Sequence, residues 1–326
     1  MIARTRKSLG KAPTPMAGLA LGIASLGWCW ENAGQFDGRM QLLGAAVAAV
    51  LLLILTFKFL LHPRLLWQDL AHPVVGSVVP TYAMGTMVVS KALGMMAPQA
   101  GETLWLFAVA IHLIFLATFI WHRAKEFEIH HMVPSWFVPP VGIIVADVAF
   151  PGGQFAALAN ALLWFGIICY GLMLPLMLYR LIFSHEVPDA AKPTIAILAA
   201  PASLSLAGYL TVSQDPSLLL VAVLLGIAIL MTGIIYLAFI KLLRLPFSPG
   251  YAAFTFPMVI GATALFKVAN LVSGWPQAAH YVEQIRLLAH VELGIATVIV
   301  GYVALRYLMF FLPQREPAVE GDMAHR

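Results

Sequence analysis

The chain has 326 residues, of which 61% are hydrophobic and only 10% charged, with a formal net charge of +4. Ordinary globular chains run at roughly 45–50% apolar and about 25% charged, and a soluble body of this size could not hide so much apolar surface. The composition therefore excludes a secreted disulfide scaffold, a disordered chain and a cytosolic enzyme built around a polar cleft, and it makes lipid the solvent. Cys29 and Cys169 lie in apolar runs without zinc or redox spacing and read as packing residues.

Along the chain, ten apolar runs reach or approach the ~20 residues needed to cross ~30 Å of hydrocarbon. They are apolar on all sides, which argues for helices rather than the alternating strands of a β-barrel. A basic tail, 1–12, leads to the first unit, which opens at Pro13 and holds runs 15–30 and 41–61. The second opens at Pro73, with runs 73–92 and 103–121. The third opens at Pro134, with runs 134–150 and 154–183, and its first run ends at Asp147 before Pro151-Gly152-Gly153. The fourth opens at Pro193, with runs 193–211 and 216–240. The fifth opens at Pro249, with runs 249–268 and 287–312, and residues 313–326 form a second tail. Successive openings are 60, 61, 59 and 56 residues apart. The expected fold is an all-α integral membrane protein, with ten transmembrane helices as five quasi-symmetric hairpins over 13–312. Five units related by rotation leave an axis lined by one helix from each, which is the geometry of a central pore.

The odd helices carry a second proline further in: Pro80, Pro139 with Pro140, Pro201 and Pro257. A mid-helix proline removes a backbone hydrogen bond and bends the helix, which a membrane tolerates where protein or water satisfies the freed carbonyl. The first unit has Ala20 where its inner proline would fall, with Gly18 and Gly22 allowing close helix packing. The residue before each inner proline is Val79, Val138, Ala200 or Phe256. Phe256 alone is a bulky aromatic, which makes it a candidate gate, with a packed core phenylalanine as the alternative. Gly142 and Ala252 join the pore-lining candidates on the same helices.

With the N-terminus inside, fifteen Lys and Arg fall on cytoplasmic segments and four on the other side, so both termini are expected in the cytoplasm. A cleaved signal peptide over 1–30 is the weaker alternative, because no small-residue cleavage site precedes a mature domain. The basic residues form no patch, which argues against nucleic acid. Lys91 and Lys267 lie near the outer ends of their helices and would attract anions to that mouth, with Asp147 opposing them. Five helix N-termini at the inner mouth add positive dipole ends. His112, His290 and Glu292 read as hydrogen-bonding groups between helices, with proton coupling as the alternative; His290 and Glu292 point to different faces. His130-His131 reads as a solvated loop. No metal site, cofactor motif or catalytic nucleophile is evident, and no enzymatic activity is expected.

The order and spacing of "HPVV" at 72–75, "PSWFVPPVG" at 134–142, "LAAPA" at 198–202 and "AAFTFPM" at 252–258 resemble the family of TehA-type tellurite-resistance proteins, four-carbon dicarboxylate transporters and plant slow anion channels. The resemblance covers roughly 13–312. It implies ten helices in five hairpins, a central anion pore formed by the odd helices, and a homotrimer in the bacterial inner membrane. Its gating phenylalanine falls in an aromatic–x–Phe segment that matches Phe254-Thr255-Phe256, which selects Phe256. The missing inner proline at Ala20 and the early position of Pro80 depart from the family pattern. "PSWFVPPVG" looks closer to the dicarboxylate or sulfite-type branch than to TehA proper. The expected function is passive anion conduction through a pore occluded by Phe256. The alternative is proton-coupled transport of malate-like dicarboxylates or sulfite.

Overall fold

The computed structural model describes residues 9–311, so parts of both tails, including Arg4, Arg6, Lys7, Arg315 and Arg326, lie outside the described residues. The described residues are 84% helical, and none of them forms a strand. The α-helices are α1 (Met16–Ala33), α2 (Arg39–Leu61), α3 (Pro63–Ala71), α4 (Val75–Val78), α5 (Thr81–Met96), α6 (Pro98–Lys125), α7 (Val138–Val141), α8 (Val145–Val148), α9 (Ala156–Phe183), α10 (Ala200–Val212), α11 (Leu218–Leu242), α12 (Thr255–Ser273) and α13 (Val282–Phe311). Among the described residues, seven helical segments are long and apolar enough to cross a membrane. An eighth arises if Pro63–Ala71 and Val75–Met96, bent by 107°, count as one. Pro134–Val148 is a shorter apolar helical segment.

The proline-led segments form the interior. In the spans Lys192–Val212 and Pro249–Ser273, 78% and 89% of the apolar window is buried, against 28–39% in the other five. Their packing is cyclic: α1 touches α5, α5 touches α8, α8 touches α10, α10 touches α12, and α12 returns to α1. The second member of each unit lies outside this ring. There α2, α6, α9, α11 and α13 expose large apolar side chains such as Leu60, Ile114, Leu172, Leu219 and Val298. A soluble protein would not display so much apolar surface, but a bilayer solvates it at no cost.

The inner segments depart from simple bent helices. The third, fourth and fifth begin as 3₁₀ helix, at Pro134–Phe137, Lys192–Ala199 and Pro249–Phe254, before turning α-helical. Pro139 and Pro201 stand second in α7 and α10, Pro257 third in α12, and Pro80 caps α5. In the third, fourth and fifth segments the inner prolines therefore mark the start of α-helix, whereas Pro80 stands at a break between α4 and α5 within Val75–Met96. The first segment, without an inner proline, runs as α-helix directly from Met16. A buried network fixes its start: Lys58 Nζ donates to Thr14 Oγ1 at 2.8 Å, and Thr14 Oγ1 donates to Asp69 of α3.

Candidate functional site

Inside the ring lies a vestibule of about 350 Å³. Every residue lining it belongs to one of the five proline-led segments or to the turn just before one. From the first come Pro15, Gly18 and Leu21; from the second, Val78, Thr81 and Met84; from the third, Phe137, Val141 and Gly142. The fourth gives Thr194, Ala200 and Leu204, and the fifth gives Ser248, Ala252, Phe256 and Pro257. Residues that open four of the segments, Pro13, Val74, Ala190 and Ser248, also line it, so the N-terminal ends of those segments gather around it. The amide dipoles of those ends point their positive poles there.

Among the described residues the wall carries no charged side chain, and its polar groups are few. Thr81 Oγ1 donates to the Val78 carbonyl at 2.7 Å and Thr194 Oγ1 to the Ala191 carbonyl at 2.6 Å. Those hydroxyl protons are thus already committed to backbone oxygens. A negative solute in the vestibule would meet backbone dipoles and apolar surface rather than a cation.

Phe256 lines this cavity and is only 7% exposed. Its helix is set against α1: a Cβ at Gly22 would stand 2.5 Å from Thr255 Cβ and 3.2 Å from the Phe256 backbone nitrogen. Thr255 Oγ1 in turn donates to the carbonyls of Ala252, at 2.7 Å, and Gly18, at 3.1 Å. The absence of a side chain at Gly22 lets α1 approach close enough to hold the Phe256 backbone.

Of the other lining candidates, Val138, Gly142, Ala200, Pro201, Ala252 and Pro257 face the vestibule, whereas Ala20, Gly22, Val79, Pro80, Pro139 and Pro140 do not. Val79 is fully buried in a separate cluster with Leu70 and Phe115, while Val78 and Thr81 take the cavity-facing positions. One residue is about 100° of helix rotation, so a single-position offset moves a side chain from bore to flank. Ala20 and Gly22 flank the lining Leu21 on α1 and are buried between helices for the same reason. The Pro139 carbonyl accepts a hydrogen bond from His112 Nε2 at 2.8 Å, so that proline is braced from α6. The lining residues Leu21, Met84 and Leu204 were not singled out in the sequence. Three-residue steps from Gly18, Thr81 and Pro201 would have found them.

Lys91 and Lys267 are half-buried, and Lys91 Nζ donates to the Phe150 carbonyl at 2.7 Å. Lys91 faces a second cavity of about 240 Å³, shared with Ser90, Glu102 and Pro151 and distinct from the vestibule. Asp147 is fully buried, and neither carboxylate oxygen has a hydrogen-bond partner; its Cβ lies 3.4 Å from where a Cβ on Gly208 would stand. It forms no ion pair with either lysine among the described residues. Glu292 is buried and presses its carboxylate against Gly261 of α12, 2.6 Å from the site of an absent Cβ. His290 is exposed, its Nδ1 donating to the Arg286 carbonyl at 2.6 Å, so the two residues do lie on different faces. Cys29 is buried and Cys169 half-buried, and both are free.

A cyclic set of buried segments around an uncharged cavity, wrapped by apolar helices of bilayer length, defines a multi-pass membrane protein with an internal compartment of solute size. The family described as SLAC1, voltage-dependent anion channel, matches residues 15–308, and the chain belongs to it. That family groups TehA-type tellurite-resistance and dicarboxylate transporters with plant slow anion channels. The chain is also similar to two uncharacterized transporters of Methanocaldococcus jannaschii. It is 25% identical to MJ0762 over 64% of its own length and 68% of that protein, and 27% identical to MJ0576 over 63% and 69%.

Proposed function

We propose that this protein is a passive anion channel, or channel-like exporter, of the bacterial inner membrane, in which Phe256 occludes a path continuing the vestibule. The carrying observation is that, among the described residues, the vestibule is lined only by the five proline-led segments and their lead-in turns, with Phe256 in its wall. In this reading ten helices cross as five hairpins, both termini are cytoplasmic, and the vestibule opens to the cytoplasm. Three such chains associate as a homotrimer, each with its own path. The desolvation cost of an ion rises with the square of its charge. An uncharged wall helped only by backbone dipoles therefore favours monovalent anions over dicarboxylates.

A second reading, proton-coupled transport of dicarboxylates or sulfite, draws support from Asp147 and Glu292, whose buried carboxylates keep oxygens without hydrogen-bond partners. Intramembrane carboxylates are commonly functional. Proteoliposomes loaded with chloride, nitrate, sulfite or malate separate the two. Passive conduction predicts anion flux that follows the membrane potential and ignores an imposed pH gradient. A reversal potential that moves with the proton gradient would replace the first reading by the second.

A further inference from the structure

The loop between α6 and the third segment brings together three groups that sequence spacing alone leaves as a solvated tract. Glu128 Oε2 lies 3.0 Å from His130 Nε2 and 3.7 Å from His131 Nε2. The donor atoms of all three residues fall within 4.8 Å of one another. Two ligands bound to Zn²⁺ at about 2.0 Å with tetrahedral angles stand about 3.3 Å apart, so the two carboxylate–imidazole distances bracket that chord.

The arrangement is held from below. Arg180, 1% exposed at the end of α9, donates through Nη2 to the His130 carbonyl and through Nη1 to the His185 carbonyl, both at 2.9 Å. The Nδ1 of His131 is buried without a hydrogen-bond partner, which leaves Nε2 as the outward-facing nitrogen of that ring. These two bonds anchor the backbone of the turn that carries the ligands.

We propose that Glu128, His130 and His131 form a surface site for a divalent transition-metal ion of the Zn²⁺ class, with water completing the coordination. Two imidazoles and one carboxylate suit Zn²⁺, Co²⁺ or Ni²⁺ and not Mg²⁺ or Ca²⁺, which take oxygen ligands. The ligand turn passes through Met132 and Val133 into Pro134–Phe137, whose last residue lines the vestibule. Metal binding would therefore stiffen the approach to one of the five wall segments.

The test uses the full chain in detergent, purified without a histidine tag, titrated with Zn²⁺ by calorimetry and with Co²⁺ by visible absorption. One ion per chain is expected, undiminished by excess Mg²⁺ or Ca²⁺. The H130N/H131N variant should bind at least roughly tenfold more weakly, and E128Q should weaken binding independently, guarding against misfolding of the double variant. H280N, in a different loop, should match the wild type. Absence of Zn²⁺ binding by the wild type, or equal affinity in a monodisperse H130N/H131N or E128Q protein, overturns the proposal.

Discussion

Replacing Phe256 by alanine tests whether its ring is an obstacle or merely a packed core side chain. Phe256 is 7% exposed in the vestibule wall, so moving its ring aside costs most of its burial. Full burial of a side chain of this size is worth about 1.5–3 kcal/mol, and each 1.36 kcal/mol is tenfold in rate. If passage requires that displacement, deleting the ring should raise anion conductance by about 10- to 150-fold. Phe256→Leu, which keeps bulk but loses the planar ring, should fall between. The assay is current in planar bilayers or oocytes, normalised to surface protein, with melting temperature followed in parallel. Truncation of a core phenylalanine typically costs about 3–5 kcal/mol of stability, and a ring already facing a cavity should cost less. Unchanged current in a normally expressed, folded Phe256→Ala protein would remove Phe256 from the gate. A protein that lost stability without gaining current would identify the ring as core.

Three further perturbations follow from named contacts. Gly22→Ala forces a methyl to within 2.5 Å of Thr255 Cβ, so it should destabilise by about 1–3 kcal/mol, and Thr255→Gly in the same chain, which removes that carbon, should recover part of the loss in a thermal double-mutant cycle, whereas Thr255→Ala, which keeps it, should recover less. Arg180→Gln removes charged hydrogen bonds to the His130 and His185 carbonyls, each worth about 1.5–3 kcal/mol, so hydrogen exchange should accelerate at 126–133 and 184–191 while the helices stay protected. Asp147→Asn removes a fully buried, unpartnered carboxylate at constant size; under passive conduction it should leave anion flux intact, whereas loss of a pH-gradient response would expose a coupling role.

An all-helical membrane fold was legible in the composition, and which runs are interior was legible because prolines repeated at 56–61-residue intervals label the runs that are alike, a label that burial follows in Lys192–Val212 and Pro249–Ser273. Facing was less legible. The inner prolines gave the level of the cavity, yet Val78 rather than Val79 reaches it, because repeat alignment fixes position along a helix but not rotation about it. The 3₁₀ starts were also hidden, since i→i+3 and i→i+4 bonding use the same residues and differ only in register. Glu292 and Gly261 are 31 positions apart on different helices, so no local pattern announces their contact. The grouping of Glu128 with His130 and His131 depends on a turn of 3₁₀ helix at Ile129–His131 that spacing does not specify.

The placement of the prolines has a hydrogen-bond explanation that differs from kinking. At the end of the third segment's first 3₁₀ run, the Val138 N–H bonds to the Ser135 carbonyl; in the fourth, the Ala200 N–H bonds to the Ile197 carbonyl. In α-helical register the next residue would direct its N–H to that same oxygen, because it lies four positions back. Those next residues are Pro139 and Pro201, which have no N–H to offer. Proline thus stands where a donor would compete for an occupied acceptor, and it permits the change of register without an orphaned group. The fifth segment offers a contrast: Thr255 bonds to Ala252, the competing residue is Phe256, and Pro257 follows one position later. A proline that kinks an established helix costs about 3 kcal/mol, so its removal should stabilise by a comparable amount. A proline at a redundant donor should be nearly neutral. Pro201→Ala is therefore expected to change unfolding free energy by less than about 1 kcal/mol, read from thermal or denaturant melts in detergent. Stabilisation near the kink value would show that the fourth segment was bent against its own helix.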